Sequence, residues 1–438
     1  MVYYIKNLLI YVFLTFCLSC LFLACSKTKT VLLPLSFISV NVNNGSYNSI
    51  VVINGTGFSS NKTDDDVQFN GKPAQITAVS STNLTVKVPL GAGNGNITIT
   101  VNGVTITGPV FTYVLSSRVS NYAGNGTVGN LNGPGSAASF NDPNGLAIDA
   151  AGNLYVSDAS NYLIRKINTD STVSTFVGGG NVNSDTNGTG TQASITSAPT
   201  AIALDGTGNV YVTESDGVIR KITPAAVVST FLDGRFVPGY SFDYPSGIAI
   251  DASGNLYVSV YFHNQIQKVT PAGVVTNFAG SGNTGSSDDV PVSFWNPAGL
   301  TFDATGILYI ADYSNSKIRF VDVNGKVGTI AGFSPPNSTN SGSVNGPISL
   351  ASFRGPDDIA IDAKGNIYVA DTQNNLIRMI SADRTTVSTI AGNGRAGSTN
   401  GAGNVASFNY PSSLVVDAAG NIYVADSKNN AIRKIVIF

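Results

Sequence analysis

Side chains able to do chemistry are sparse in this chain, and most of them recur at fixed places. An acid precedes an arginine by six or seven residues five times: Asp158 with Arg165, Glu214 with Arg220, Asp312 with Arg319, Asp371 with Arg378 and Asp426 with Arg433. In a sixth, otherwise parallel stretch, Val260 and Gln267 replace both members. Joint replacement is what a structural ion pair predicts, because losing one partner strands a charge in a partly buried place. These ten residues are therefore assigned to holding a hairpin. The aberrant copy carries Tyr261, Phe262 and His263, with Arg235, Phe236 and Tyr240 before it and Trp295, the single tryptophan, after it. Flat apolar faces with polar edges suit stacking on sugar rings or gripping a peptide. The competing reading is that they merely cover a hairpin without its ion pair. Asp357 and Asp358, with Arg354 nearby, follow or adjoin Pro356, where the parallel stretches have small or neutral residues. They are candidates for the mouth of a central channel, or simply solvated charges.

Other chemistries find little support. His263 is the single histidine, and one imidazole cannot build a multi-histidine zinc site. Asp64-Asp65-Asp66 and Asp288-Asp289 lack coordination spacing. The stretch Gly124 to Gly129 follows a strand but leads into no helix, so it is no phosphate cradle. No metal and no cofactor is expected. Charged residues make up 11% of the chain and the net charge is −2, so no basic stripe exists to displace counterions from a nucleic acid.

The elements that must position these side chains follow from a repeated phrase. Asp149, Asp205, Asp251, Asp303, Asp362 and Asp417 recur at intervals that suit one four-stranded blade plus a variable loop. In each unit a proline (143, 199, 245, 297, 356, 411) opens a short apolar strand with a small residue at its centre: Ala147, Ala203, Ala249, Thr301, Ala360 or Val415. A tight Asp-x-x-Gly turn leads to a second strand bearing a tyrosine (155, 211, 257, 309, 368, 423), then to an Ile-Arg-Lys-Ile type strand and a Val-Ser-Thr type strand. The last unit ends at Phe438 without its fourth strand, and Arg118 to Gly124 reads as the missing one. Pairing the two would seal a ring and leave no open edge. The long connections (125–142, 179–198, 281–296, 333–355, 393–410) all fall at one end of such a ring, each tacked down by an apolar residue such as Phe140, Phe294, Phe353 or Phe408.

The phrases Pro411 to Asp417, Asn421 to Asp426 and Asn429 to Arg433 resemble the NHL repeat, and the resemblance covers residues 118 to 438. It implies a six-bladed β-propeller. Some propellers of this type are lyases with several histidines, or lactonases with a calcium held by convergent carboxylates; neither set maps onto this chain. Residues 31 to 114 contain short alternating strands and the phrases Gly55-Thr56-Gly57-Phe58, Phe69-Asn70-Gly71 and Pro109 to Tyr113, which resemble the IPT/TIG immunoglobulin-like domain. Near the start, Lys6, an apolar run from Leu8 to Ala24 and then Cys25-Ser26-Lys27 read as an export signal. Leu21 to Cys25 resembles the lipobox of bacterial lipoproteins, which implies lipidation of Cys25; an uncleaved membrane helix is the alternative. Cys17, Cys20 and Cys25 are the three cysteines, so processing at Cys25 leaves no disulfide and stability must come from burial.

The expected organisation is all-β: a signal peptide at 1–24, a lipidated cysteine and tether at 25–30, an IPT/TIG sandwich at 31–114 and a six-bladed NHL-type propeller at 115–438, closed by its N-terminal outer strand. The expected function is binding, with a glycan as first ligand and a protein of the cell envelope as second. An enzyme acting on a cyclic ester or glycan ranks third. The expected location is the envelope of a Gram-negative bacterium, lipid-anchored in the outer membrane.

Overall fold

A computed structural model describes residues 33–180, 185–332 and 342–438. The export segment, Cys25 and the tether lie outside the described residues, as do parts of the connections at 179–198 and 333–355. Among the described residues no helix is long and apolar enough to cross a membrane. Chain contacts divide the molecule into two compact units between Val114 and Leu115.

The first unit consists of two sheets. One orders Ser36–Val40, Ile50–Thr56, Asn83–Lys87 and Gln75–Val79; the other orders Asn44–Gly45, Val104–Tyr113, Gly95–Val101, Asp65–Phe69 and Lys72–Pro73. Alternation decides which face is buried: Val51, Ile53, Val67, Phe69, Leu84, Val86, Ile97 and Ile99 point into one core, where Phe69 meets Phe111 edge to face at 4.8 Å. Two hairpins turn on Asn70-Gly71 and Asn102-Gly103, all four with positive φ, the geometry that two-residue hairpin loops require.

The second unit consists of six antiparallel sheets. Their innermost strands are Pro143–Ile148, Pro199–Leu204, Pro245–Ile250, Pro297–Phe302, Pro356–Ile361 and Pro411–Val416. Each is followed outward by two more strands in chain order, and the first five sheets by a third. The outer strand of the sixth is Ser117–Ala123, which runs antiparallel to Ala431–Ile437 with Val119 opposite Ile435. Innermost strands pack on one another in sequence order, and the first also packs on the sixth. Hydrophobic clusters lie between neighbouring sheets; one joins Tyr309, Ile318 and Ile330 to Phe353, Ile359 and Val369.

The repeated turn is a small hydrogen-bonded device. Asp149 Oδ1 accepts from the backbone N–H groups of Ala151 and Asn153, and Gly152 sits at φ +88°, a conformation that a side chain would strain. Each innermost strand pairs at its proline and then slips register, so a bulge re-aims the residue after proline. Hydroxyls then staple sheet to sheet around the axis: Ser246 Oγ donates to the Pro297 carbonyl (2.9 Å), Thr372 Oγ1 to Pro411 (2.6 Å) and Ser427 Oγ to Pro143 (2.6 Å).

Candidate functional site

The acid and arginine pairs are fully buried clamps. Asp158, Asp312, Asp371 and Asp426 meet their arginines at 2.7 to 2.9 Å, and Glu214 meets Arg220 at 3.3 Å. Each guanidinium also donates to a carbonyl of the long connection entering its sheet, as Arg378 does to Ser352 (3.0 Å) and Val344 (2.9 Å). A phenylalanine of that same connection lies against four of the five guanidinium groups; Phe353 is 5.2 Å from that of Arg378. The acid's second oxygen accepts from the connection's backbone, as Asp371 does from the Arg354 N–H (2.8 Å). The pair therefore fastens a loop as well as a hairpin. Burial pushes Asp312 up to about 6 and Glu214 up to about 7 despite the arginines, with Asp185 adding to the rise at Glu214. Groups with no exposure cannot meet a substrate. In the third sheet Gln267 keeps one of these bonds, Nε2 to the Ser241 carbonyl (3.2 Å), while its Oε1 is buried without a partner.

The accessible chemistry lies at the axis. Three register positions supply nearly all of it: the residues before and after the opening proline and the one following the second strand, with Lys428 one residue further on. Together they form a bowl of about 290 Å³, lined by Tyr244, Tyr261, Tyr313, Tyr410, Asp142, Asp357 and Lys428 with a floor of Asn144, Thr200, Ser246, Ser412 and Ser427. Tyr244 and Tyr261 stand edge to face at 5.9 Å, Tyr261 and Tyr313 tilt together at 6.0 Å, and the hydroxyls of Tyr313 and Tyr410 are 2.9 Å apart. Gln373 Nε2 donates to the Tyr313 hydroxyl at 2.9 Å. Tyr244 and Tyr410 precede prolines with φ of +55° and +60°, unusual for a large side chain and the kind of local strain that gathers at functional sites. Lys428 is neutralised by Asp142, with both carboxylate oxygens at 3.0 to 3.1 Å.

Asp357 reaches both this bowl and the channel beneath it. Burial, then the neighbouring Asp358, pushes its carboxyl up to about 7, and among the described residues it has no hydrogen bond or ion pair. Asp358 lies deeper and is tied in: Oδ2 accepts from Ser413 Oγ (2.6 Å) and the Leu414 N–H (3.1 Å), and burial pushes it up to about 6. The carboxylate fits because the facing residue is Gly299, where a side chain would collide with it. Burial also pushes Tyr261 up to about 12, with contributions from Tyr313 and Asp357. Among the described residues no three His, Cys, Asp or Glu side chains converge as a metal site.

Of the residues singled out from sequence, Tyr261 and Asp357 line the bowl and Asp358 lines the channel. Phe262 stands at the rim, 63% exposed, with its ring on Tyr244 (5.6 Å) and Tyr261 (5.2 Å). The other six do not line the bowl. Arg235 is held by Asp233 (2.8 Å) and Asp216 (3.0 Å), with Phe236 5.9 Å from its guanidinium. Tyr240 packs on the core beneath its loop. His263 pairs with the exposed Asp243 at 2.9 Å. Trp295 is 46% exposed and gives its backbone N–H to the Asp312 clamp. Arg354 is exposed and stays outside the bowl. Sequence reasoning missed Tyr244, Tyr313 and Tyr410. Aligning the six copies at the residue before proline and at the residue after the second strand finds all three.

Residues 35–113 match the IPT/TIG domain model, and residues 140–167, 353–378 and 408–435 match the NHL repeat model. NHL repeat-containing protein 2 of Gallus gallus is 31% identical over 173 residues, which are 37% of this chain and 24% of that protein. The chain thus spans about a quarter of the length of this curated relative. A structural genomics protein of unknown function from Bacteroides thetaiotaomicron superimposes with a TM-score of 0.61 at 20% identity, covering 93% of this chain and 98% of the other. An auxiliary nutrient binding protein from the same organism superimposes with a TM-score of 0.56 at 18% identity, covering 92% and 98%. At these identities the likeness is one of fold, all-β and propeller-like.

Proposed function

We propose that this protein is an exported, lipid-anchored binding protein of the Gram-negative cell envelope that captures a glycan in the tyrosine-lined bowl. In this reading residues 1–24 are removed, Cys25 is lipidated and held in the outer membrane, and residues 31–114 act as a spacer. The six sheets are the blades of a propeller sealed by residues 117–123. The carrying observation is four tyrosine rings gathered over a floor of hydroxyl and amide groups at the axis. Such walls offer apolar faces to a sugar ring while their polar edges meet its hydroxyls. The fold shared with a nutrient binding protein supports a binding role. The five clamp acids are sealed from any substrate, and of the bowl's two acids Asp142 is paired with Lys428, which leaves Asp357 as a single free carboxylate and favours binding over a paired acid and base.

A second reading, a protein-binding scaffold of the envelope, is favoured by exposed apolar side chains, among them Val128, Val290 and Leu350 on the long connections, Phe236 on the connection entering the third sheet and Phe262 at the rim. Affinity electrophoresis against a polysaccharide panel separates the two. Retardation by one polymer, lost in Tyr261→Ala and kept in Trp295→Ala, places a glycan in the bowl. No retardation by any polymer supports the scaffold.

A further inference from the structure

We propose that the bowl selects a cationic sugar, a glycan unit carrying a protonated amine, with Asp357 as counterion and Tyr244, Tyr261 and Tyr410 as a cage of π-faces. This deepens the glycan reading and rests on it. The geometry is specific to one sheet. At the residue after the opening proline the six copies carry Asn144, Thr200, Ser246, Ala298, Asp357 and Ser412, so a single carboxylate enters a ring of neutral side chains. The bowl's other charges, Asp142 and Lys428, cancel each other. Asp357 is thus the one uncompensated charge among the bowl's lining residues, and it lacks any hydrogen-bond donor there. Burial raises the phenols of Tyr244, Tyr261 and Tyr410 above their usual range, and Asp357 is near enough to each to add to that rise.

A carboxylate kept half-buried without a partner is costly unless a ligand supplies one. An ammonium group answers both features, since it pairs with the carboxylate and is attracted to the faces of tyrosine rings. An anion or a neutral N-acetyl group answers neither. The bowl's volume lies near the lower end for small-molecule sites. A sugar ring brings hydroxyls to the bowl's polar floor as well as the amine, whereas a lysine side chain brings the amine alone.

Calorimetry on the full chain in detergent at pH 7 tests the assignment with a β-1,4-linked glucosamine tetramer, its N-acetylated form and an oligolysine peptide. The amine tetramer is expected to bind about tenfold or more tighter than the acetylated one. That preference is expected to vanish in Asp357→Asn and to shrink in Tyr261→Ser. Both substitutions have precedents at equivalent positions in other sheets, Asn144 and Ser215, so the fold tolerates them. Equal affinity for the two tetramers, or a preference that survives Asp357→Asn, overturns the ammonium assignment and leaves the glycan reading standing. Binding of oligolysine alone, or of none of the three, overturns this proposal; the former also counts against the glycan reading and points to a protein partner.

Discussion

At the scale of single residues, Asp357 is the point where binding and stability conflict. An aspartate in the unfolded chain ionises near 4, whereas burial raises it in the folded protein to about 7. Between these values the folded state holds a proton that the unfolded state has released. Stability therefore falls as the pH climbs from about 4 to about 7 and stays at its lower value above that. Replacing the carboxyl by an amide removes the cost of ionising it. Asp357→Asn is expected to melt about 2 to 4 °C above the unmodified protein at pH 8 and level with it at pH 4. Thermal scans at the two pH values check this. A variant that melts lower at pH 8 would mean that the carboxylate has a stabilising partner after all. The inverse logic applies to Gln267, whose buried Oε1 is unpaired where the other sheets place a guanidinium.

At the scale of elements, the clamp explains why the long connections are ordered enough to carry a site. The acid takes a backbone N–H just before the opening proline, the arginine takes carbonyls further back, and a phenylalanine fills the space between. The third sheet retains Phe242 and one hydrogen bond of this set. Rebuilding the clamp there is a direct test. Val260→Asp or Gln267→Arg alone buries one unpaired charge and is expected to cost about 3 to 5 kcal/mol. The double variant is expected to recover part of that, with a favourable coupling of about 1 to 3 kcal/mol in a denaturant cycle. Additive losses would show that the joint replacement of acid and arginine has another origin. The clamps were legible in the sequence because both partners lie within one repeat. The bowl was legible only in part: Tyr261 and Asp357 departed visibly from their copies, whereas Tyr244, Tyr313 and Tyr410 come from three separate sheets and meet only at the axis. A tyrosine with positive φ before proline is also something that residue preferences argue against.

At the scale of the whole molecule, the second unit depends on a pairing between its two ends. Strand periodicity, turn chemistry and the missing fourth strand of the last repeat made the order of strands readable, since each is a local signal. The channel was readable only in part: Asp357 and Asp358 stood out as candidates for its mouth, but the rest of its lining depends on bulges that re-aim residues after proline. The pairing of Ser117–Ala123 with Ala431–Ile437 covers what would otherwise be an unpaired strand edge, a template for association with other chains. Val119 holds it down: it is 1% exposed and belongs to a core shared with Leu414, Val424 and Ile435. Val119→Asp puts a carboxylate into that core and is expected to cost roughly 3 kcal/mol or more. Val128→Asp, on an exposed part of the first long connection, is expected to change stability by less than about 0.5 kcal/mol. Because the detached strand uncovers Ala431–Ile437, the first variant is also expected to scatter light at temperatures where the second stays clear. If Val119→Asp melts and scatters like Val128→Asp, the outer strand is an accessory to the ring and the bowl's tyrosines must be held in place by the inner strands alone.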